Sequence, residues 1–233
     1  MRDTEPIEWK PRTSLGLQVK NKEIVDIDKI LDEGRTILEP EIVDALIPDL
    51  EAELLLIGQA KGKFGGGQRR IFKNTQKKTR EGNKPKFTVM AVVGDKNGRI
   101  GIGTGSSKET VPAREKALRQ ARLNLFKIRR GSGSWESASV TEAHTIPFAV
   151  EGKCGSVIVR LMPAPKGKGL TIEKECAKVL KLAGINDVWS KSYGQTKNKT
   201  NMIRALEQAL KNLSLMKVRE QDLTTLSVTE GGR

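Results

Sequence analysis

The run RIGIGTG at residues 99–105 constrains the fold of this chain more than any other feature. Its residues alternate strictly, so in an extended strand Ile100, Ile102 and Thr104 share one face and the opposite face carries only glycine. A glycine face lets another backbone approach closely, because no Cβ projects from it. The preceding run FTVMAVVGD is also β-rich, and DKNG at residues 95–98 is a hairpin signal. The sequence therefore predicts a hairpin whose glycine face packs against another backbone.

Two helices are predicted, one on each side of this hairpin. Apolar residues recur at helical spacing over residues 41–57, where Pro48 should kink the chain, and over residues 111–128, where Thr110 is the expected N-cap. A polar strand is predicted near residues 71–79, between the first helix and the hairpin. The first module therefore has the predicted order helix–strand–strand–strand–helix.

A second module follows residues 131–141, which are rich in glycine and serine and typical of a linker. Its hydrophobic pattern predicts the order strand–strand–helix–strand–helix. The expected elements are strands at residues 146–150, 157–161 and 188–193, a turn at EGKCG (residues 151–155), a helix ended by Gly184 and a helix capped by Thr200. We therefore predict an α+β fold of two small domains. Their predicted bounds are residues 41–130 and 142–215, with a poorly packed extension at 1–40 and a loosely held polar tail at 216–233.

The charge of the chain is unevenly distributed. Residues 61–130 contain 20 Lys and Arg against 4 Asp and Glu, whereas residues 1–57 contain 7 basic and 14 acidic residues. The net charge of the whole 233-residue chain is +14. A concentrated cationic block is typical of a protein that binds a polyphosphate. The sequence therefore predicts nucleic acid as the partner.

The strongest signal within this block is KNTQKKTREGNKPK at residues 73–86, a charged hairpin tip around Gly82. Its cations are Lys73, Lys77, Lys78, Arg80, Lys84 and Lys86. Such a tip repels itself unless it is solvated or docked on phosphates, and arginine adds bidentate phosphate contacts. Aromatic residues make up only 4% of the chain, so we expect contact with the backbone and shape of folded RNA rather than with stacked single-stranded bases. Charge alone does not distinguish RNA from DNA.

The loop PAPKGKG at residues 163–169 precedes a predicted helix. Loop amides and a helix N-terminus favour phosphate oxygens, and Lys166 and Lys168 add mobile charge. The alternative is a solvated lysine loop without a ligand, and the sequence favours neither interpretation.

Residues typical of catalysis or cofactor binding are sparse. His144 is the only histidine and lies at the start of a predicted strand, and Cys176 lies on the apolar stripe of a helix, so both are interpreted as structural. In GIGTGS, Ser106 replaces the third glycine of a dinucleotide fingerprint, and no P-loop sequence occurs. We therefore expect no enzyme, no cofactor and no metal site. With no apolar run long enough for a membrane and no apolar signal segment, a cytoplasmic protein is expected.

Several long motifs resemble one known family. They are WKPRTSLGLQV, ILEPEIVDALIPDL, VVGDKNGRIGIGTG followed by KETVPAREKAL, HTIPF, GKCGSVIVRLMPAPKGKGL and AGINDVWSKSYGQTKNKTN. From about Trp9 to Leu213 the chain resembles the fifth universal family of small-subunit ribosomal proteins, in its archaeal and eukaryotic form. The resemblance implies a first domain similar to a double-stranded-RNA-binding fold and a second domain with the βαβ-type arrangement named after this family. It also implies a structural, rRNA-binding role in the small subunit of the cytoplasmic ribosome.

The resemblance further implies partners. The hairpin tip, residues 77–86, is expected to reach rRNA near the head–body junction of the subunit. The fourth and eighth small-subunit proteins are expected neighbours, beside the path by which mRNA enters, which ties the family to decoding accuracy and mRNA unwinding. We expect no homo-oligomer. Some archaeal members carry cysteines in the linker where this chain has Ser132, Ser137 and Ser139, so no zinc is expected.

Charge and resemblance together predict two sets of site residues. The predicted rRNA-binding residues are Lys61, Lys63, Arg69, Arg70, Lys73, Lys77, Lys78, Arg80, Gly82, Lys84, Lys86, Lys96, Arg99, Arg114 and Arg122. The predicted residues of a protein interface or phosphate loop are Lys166, Gly167, Lys168, Gly169, Tyr193, Gly194, Lys197 and Lys199. The contact through residues 61–70 rests on charge alone, because this segment looks like an insertion relative to the bacterial pattern. Two alternatives stay open: a free-standing double-stranded-RNA-binding regulator and, by analogy of fold only, a phosphotransferase.

Overall fold

The computed structural model describes residues 9–59, 67, 69–135 and 142–230. Its helices are α1 (Ser14–Lys20), α2 (Ile27–Asp32), α3 (Pro40–Leu46), α4 (Thr110–Leu123), α5 (Lys174–Leu182), α6 (Lys199–Leu215) and α7 (Glu220–Thr225). Its strands are β1 (Glu51–Leu55), β2 (Lys73–Thr79), β3 (Gly82–Gly94), β4 (Arg99–Ser107), β5 (Leu125–Lys127), β6 (Arg129–Arg130), β7 (Val150–Cys154), β8 (Val157–Pro163), β9 (Leu170–Thr171), β10 (Val188–Tyr193) and β11 (Thr229–Glu230). No described helix has the length and apolar character needed to span a membrane.

Strand β3 organises a five-stranded antiparallel sheet. One of its edges pairs with β2 along its polar first half and with β1 along its apolar second half. The other edge pairs with β4 only from Phe87 onward, and β4 pairs in turn with β5. Residues 82–86 therefore have β2 as their one strand partner among the described residues. As a result, the tip of the β2–β3 hairpin projects beyond the sheet.

Helix α4 covers the glycine face of β4, which confirms the prediction from RIGIGTG. A Cβ added at any of the three strand glycines would collide with backbone atoms of α4. On the helix side the facing residues are Ala113, Ala117 and Ala121, which are all fully buried. Their i, i+4 spacing places them in a row on one side of the helix. Glycine on the strand and alanine on the helix therefore let the two backbones pack closely.

The two faces of the five-stranded sheet belong to different hydrophobic cores. Val89, Ala91 and Val93 of β3 pack with α4 and the N-terminal helices. The alternate residues Met90 and Val92 belong to a core that continues into the second module. Successive side chains of β3 therefore point to opposite faces of the sheet, so the strand lies between the two cores.

Hydrogen bonds also join the two modules. The turn between β3 and β4 lies at the end of α5, where the amides of Lys96 and Gly98 donate to the carbonyls of Leu182 (2.9 Å) and Ala183 (3.1 Å). At Arg130, burial lowers the pKa of the guanidinium, and the charge of Asp95 opposes this shift. The two modules are therefore connected by backbone contacts as well as by a shared core.

The second module contains a four-stranded sheet in the order β7–β8–β10–β9, antiparallel except for the β9–β10 pair. Helix α6 packs closely on one face, where a Cβ at Gly152 would collide with the backbone of Ala205 and Ala209. Val157, Val159, Leu161 and Val188 also face this side and are fully buried.

The predicted helix over residues 41–57 is wrong in its second half. Helix α3 ends at Leu46, and Ile47 leaves the helical conformation (φ −128°, ψ 88°), because a residue that precedes proline disfavours it. Residues 51–55 then form β1, because they can pair with one edge of the apolar half of β3. The sheet of the first module consequently has strands that the helix–strand–strand–strand–helix order omitted.

The predicted helix over residues 111–128 is too long. Helix α4 ends at Leu123, and Asn124 donates a side-chain hydrogen bond to the carbonyl of Ile102 (3.3 Å). The chain then turns into β5, which pairs with the start of β4. The N-cap of α4 is Glu109 rather than Thr110, and the Glu109 side chain makes no capping hydrogen bond.

The N-terminal segment is not poorly packed over its described residues. Helices α1 and α2 bury Leu15, Val19, Ile27 and Ile30 in the core beneath α4. The Glu39 carboxylate fastens the start of the segment, since it accepts hydrogen bonds from the Trp9 indole and from the amides of Arg12 and Thr13, at 2.7 to 2.9 Å. The wrong expectation arose because this segment is acidic and its helices are short.

The described residues of the tail and of the predicted linker form secondary structure and contacts with the rest of the fold. Residues 220–225 form α7, and β11 pairs with β6 in antiparallel register. Glu230 forms ion pairs with Arg129 and Lys127. In the segment predicted as a linker, Ser132 is fully buried and Gly131 bridges to Thr145.

The first strand of the second module is displaced from its predicted place. It runs over residues 150–154, and the turn falls at Gly155, whose φ is +62°. Pro147 explains the shift, because proline cannot donate to a strand ladder. Ile146 is nevertheless fully buried. The last helix begins at Lys199 with Asn198 as its N-cap, not with Thr200.

Candidate nucleic-acid interface

The hairpin tip, residues 73–86, carries an exposed group of cations on a regular two-stranded ladder. The register pairs Lys73 with Thr88, Lys77 with Lys84 and Thr79 with Gly82. Its exposed cations are Lys73, Lys77, Lys78, Arg80, Lys84 and Lys86. Gly82 closes the turn with a φ of +117°, a conformation that side chains with a Cβ rarely adopt. The backbone pairing therefore holds the cations at defined positions.

Almost none of this charge is neutralised within the protein. In the described part of the chain, the tip has one ion pair, between Lys84 and Glu81 at 3.5 Å, and both side chains are largely exposed. Lys77 and Lys84 face each other across the ladder, where like charges are destabilising. An anionic partner would relieve this repulsion.

Three other residues of the predicted rRNA-binding set form ion pairs with carboxylates of the same chain. Arg99 donates to Asp28 at 2.6 and 2.9 Å and to Asp95 at 3.1 Å, and its side chain is only 17% exposed. The hydrogen bonds that Arg99 donates to Asp28 raise the pKa of the Arg99 guanidinium, although partial burial opposes them. The other two pairs are Lys96 with Glu51, and Arg122 with Asp44 at 2.8 Å. These side chains connect elements of the fold.

The remaining predicted rRNA contacts differ in their surroundings. Arg69 donates to the carbonyls of Gly58 (3.3 Å) and Lys197 (3.4 Å), so it holds the chain before β2 against the loop after β10. Arg70 and Arg114 are exposed and make no ion pair with any described residue. Lys61 and Lys63 lie outside the described residues.

The loop at residues 163–169 does not form a phosphate cradle at a helix N-terminus. The Glu173 side chain already caps α5, accepting from the amides of Glu175 (3.0 Å) and Cys176 (3.4 Å). Within the loop, the Gly169 amide donates to Asp187 at 2.6 Å. A carboxylate therefore occupies the helix terminus on which the phosphate interpretation depended.

The charged residues of this loop are exposed. Lys166 forms an ion pair with Glu142 at 2.6 Å, which lowers the pKa of the Glu142 carboxyl. Lys168 is exposed without an ion pair among the described residues, and Gly167 and Gly169 both have positive φ, +83° and +76°. The loop therefore fits the solvated alternative and leaves Lys168 available to a partner.

The predicted site residues at the end of β10 and after it are of two kinds: some are exposed, and others are held by contacts within the fold. Tyr193 and Lys197 are exposed. Gly194 has a φ of +81° and packs against the carbonyl of Ser156, so a side chain has no room there. Lys199 is mostly buried and pairs with Glu173 at 3.2 Å.

Comparison with known proteins places these features in a family. The family model described as Ribosomal protein S5, N-terminal domain, matches residues 71–129, and the model described as Ribosomal protein S5, C-terminal domain, matches residues 152–222. The chain belongs to the ribosomal protein S5 family. The first S5 model covers the hairpin tip, the glycine strand and α4, and the second covers β8 to α6.

Archaeal members of the S5 family are similar over nearly the whole chain. The protein named small ribosomal subunit protein uS5 from Nanoarchaeum equitans is 47% identical over 224 residues, 96% of each chain. Those from Methanocaldococcus jannaschii and Methanobrevibacter smithii are 42% identical over 224 residues and 44% identical over 221 residues. These matches cover 96% and 95% of this chain and 96% of each relative. The similarity therefore includes the N-terminal segment.

S5 family membership decides between the interpretations that the sequence left open. The chain is a structural constituent of the small ribosomal subunit, acts in the cytoplasmic ribosome and is not an enzyme. It is therefore neither a phosphotransferase nor a free-standing regulator.

The residues considered for catalysis have structural surroundings. His144 is buried with its Nδ1 2.9 Å from Asp187 Oδ2, and Cys176 is fully buried. Burial raises the pKa of the Cys176 thiol. The described residues contain no group of three or more His, Cys, Asp or Glu side chains placed to hold a metal ion; Ser137 and Ser139 lie outside them.

The sequence interpretation missed one feature of the second module. Trp189 and Tyr193 are exposed on the same side of β10. Their spacing of four residues in WSKSY was the available signal, since residues i and i+4 of a strand share a face.

Proposed function

We propose that this constituent of the small subunit binds rRNA chiefly through the hairpin tip. The observation that supports this is a projecting two-stranded ladder with six exposed cations, of which only Lys84 has an ion partner among the described residues. Phosphates are the anions that such a surface meets in an RNA-rich particle, and lysine and arginine bind them at the backbone. The tip would therefore fix the orientation of the protein on folded rRNA.

The first module is suited to support this contact. Helix α4 lies on one face of an antiparallel sheet, as in a double-stranded-RNA-binding fold, to which we propose that residues 41–130 are related. Arg70 and Arg114 are exposed and unpaired within the described residues, so they extend the proposed contact. Arg99, Lys96 and Arg122 have internal partners, and their proposed role is to hold the first module together.

The second module, residues 142–215, has the proposed role of a protein interface. Lys168 and Lys197 are exposed in the two loops where the family resemblance implies contact with the fourth small-subunit protein. We propose contacts with this protein and with the eighth, beside the path by which mRNA enters. Through them the chain would support translational accuracy.

Charge reversal of the tip tests the main proposal. The variant Lys77→Glu/Lys78→Glu/Arg80→Glu should fail to enter small subunits reconstituted from purified components, because its tip would repel phosphates. A matched variant, Lys10→Glu/Lys22→Glu/Lys217→Glu, makes the same change of charge at exposed positions outside the tip. Normal incorporation of the tip variant, or equal failure of both, would contradict the proposal.

A further inference from the structure

The four-stranded sheet has an outer face, opposite α6, that carries aromatic and basic side chains. The residues of this outer face are Glu151 and Lys153 on β7, Ile158, Arg160 and Met162 on β8, and Trp189, Lys191 and Tyr193 on β10. They alternate with the buried residues of each strand, so they project away from the core. The residues Trp189 and Tyr193 are 36% and 51% exposed.

The strand register arranges these side chains in rows. Tyr193 pairs with Ile158, and Trp189 pairs with Met162, so each ring lies beside an apolar side chain. Lys191 pairs with Arg160 in the row between them. Four residues separate the rings along β10, about 13 Å at the usual rise of a strand. Two aromatic positions are therefore separated by a pair of cations.

The charge of the outer face is positive. Lys153, Arg160 and Lys191 outnumber Glu151, whose Oε1 lies 3.5 Å from Arg160 Nε with both side chains about half exposed. Lys153 and Lys191 make no ion pair within the described part of the chain. The centre of the face is charged rather than apolar, which favours an anionic partner over the apolar surface of another protein.

We propose that the outer face binds a single-stranded segment of RNA. Bases stack on Trp189 and Tyr193, and the phosphates between them contact Arg160 and Lys191. Four-stranded sheets with exposed aromatic residues bind single-stranded RNA in this way, and a duplex cannot offer its base faces to such rings. The proposal rests on the proposed function in taking RNA as the partner, but it uses a different surface and a different form of RNA. It also assigns Tyr193 to RNA rather than to a protein interface.

Binding of two RNA probes to the full-length protein tests this assignment. The probes are a fluorescein-labelled uridine decamer and a labelled ten-base-pair RNA duplex, and the dissociation constant is measured by anisotropy at fixed salt. Trp189→Leu and Tyr193→Leu should each weaken binding of the decamer about tenfold and leave duplex binding unchanged. Trp135→Leu is the matched control, because Trp135 is 81% exposed and lies outside the outer face. Thermal unfolding of each variant checks that the fold is intact.

The possible outcomes separate this proposal from the binding of rRNA by the hairpin tip. Unchanged decamer affinity in the Trp189→Leu/Tyr193→Leu double variant, or an equal loss in Trp135→Leu, overturns the outer-face assignment alone. If the double variant binds the decamer normally but fails to enter reconstituted subunits, the face binds a protein and the assignment is again overturned. If the ring variants lose the decamer while the tip variant still enters subunits normally, only the tip proposal fails.

Discussion

The Glu175 carboxylate accepts a hydrogen bond from the backbone amide of Leu56, 2.8 Å away and 119 residues earlier in the chain. Glu175 is 4% exposed, and its second polar contact is Lys178, whose Nζ lies 3.3 Å away. This bond joins α5 to the residue that follows β1. A side chain of the second module therefore supplies the hydrogen-bond acceptor for a backbone amide of the first module.

Replacing Glu175 by alanine should destabilise the whole fold. The Leu56 amide would lose its acceptor, at a cost of about 1–3 kcal/mol in the free energy of unfolding. Urea denaturation followed by circular dichroism measures this value. Glu151→Ala is the control, because Glu151 is about half exposed and its loss should cost within about 0.5 kcal/mol. Equal costs would show that the bond across the modules contributes nothing specific.

Replacing Gly103 by alanine should be costly because its neighbours are backbone atoms. The new Cβ would collide with Ala121 N and Ala117 O of α4, neither of which can rotate away. We expect a loss of at least about 2 kcal/mol in the free energy of unfolding, measured by thermal or chemical denaturation. Ser106→Ala, on the same strand, should have little effect. A stable Gly103→Ala protein would contradict the close packing of α4 on β4.

Arg99 and Lys78 should show opposite phenotypes. Arg99→Gln removes the guanidinium that Asp28 and Asp95 share, so the free energy of unfolding should fall by about 1–3 kcal/mol while rRNA affinity stays within about twofold. Lys78→Gln should lower rRNA affinity and leave stability unchanged. Denaturation and filter binding to an rRNA fragment measure the two quantities. Weaker RNA binding by a folded Arg99→Gln protein would show that Arg99 contacts RNA directly.

Acid should weaken the attachment of the N-terminal segment through Glu39. Burial raises the pKa of the Glu39 carboxyl, but hydrogen bonds from Arg12, Thr13 and Trp9 outweigh it, so the pKa is lower than the usual 4.5. A lowered pKa in the folded state gives stability that is present above pH 4.5 and is lost as the pH falls through the folded-state pKa. The difference in Tm between the wild type and Glu39→Gln should therefore shrink from pH 6 to pH 3.

A control in the first turn of α3, next to its N-cap Glu39, isolates this effect. Glu41 is exposed, so Glu41→Gln should follow the wild type at every pH. A gap between the wild type and Glu39→Gln that stays constant with pH would mean that the carboxylate charge is not what holds the segment.

The tip should determine the salt dependence of rRNA binding. Each neutralised phosphate contributes about 0.7 to 0.9 to the slope of log affinity against log salt concentration. The variant Lys77→Glu/Lys78→Glu/Arg80→Glu should therefore flatten this slope by about 2 to 3, measured from Kd values between 50 and 300 mM KCl (about the range in which binding is measurable). The variant Lys10→Glu/Lys22→Glu/Lys217→Glu should keep the wild-type slope. A tip variant with the full slope would place the phosphate contacts elsewhere.

The structure could be predicted from the sequence where it depends on residues that are close together in the chain. The alternation in residues 99–105 predicted that another backbone packs closely on this strand, because no Cβ projects from its glycine face. The end of helix α3 at Leu46 was harder to predict. Leu50 and Leu54 continue the helical spacing of residues 41–47, and only pairing with β3, 35 or more residues later, makes residues 51–55 a strand.

The internal ion pairs of some predicted site residues involve distant partners. Nothing near Arg99 in the sequence indicates that Asp28 lies against it, so its charge resembled that of the tip lysines. Trp189 was missed for a different reason. In WSKSY the serines face the core side and the aromatic residues face outward, the reverse of the usual hydrophobic pattern. Position in the sheet, and not residue type, determines which side of β10 is exposed.

The pairing of β11 with β6 has a consequence for how this chain is made. Thr229 and Glu230 pair with Arg130 and Arg129, about a hundred residues earlier. During synthesis the N-terminal parts of a chain are available first. The hairpin tip and the glycine strand can therefore form while translation continues. The two-stranded sheet at the junction between the modules can close only after residue 230 has been added, so it forms later in synthesis than the sheet of the first module.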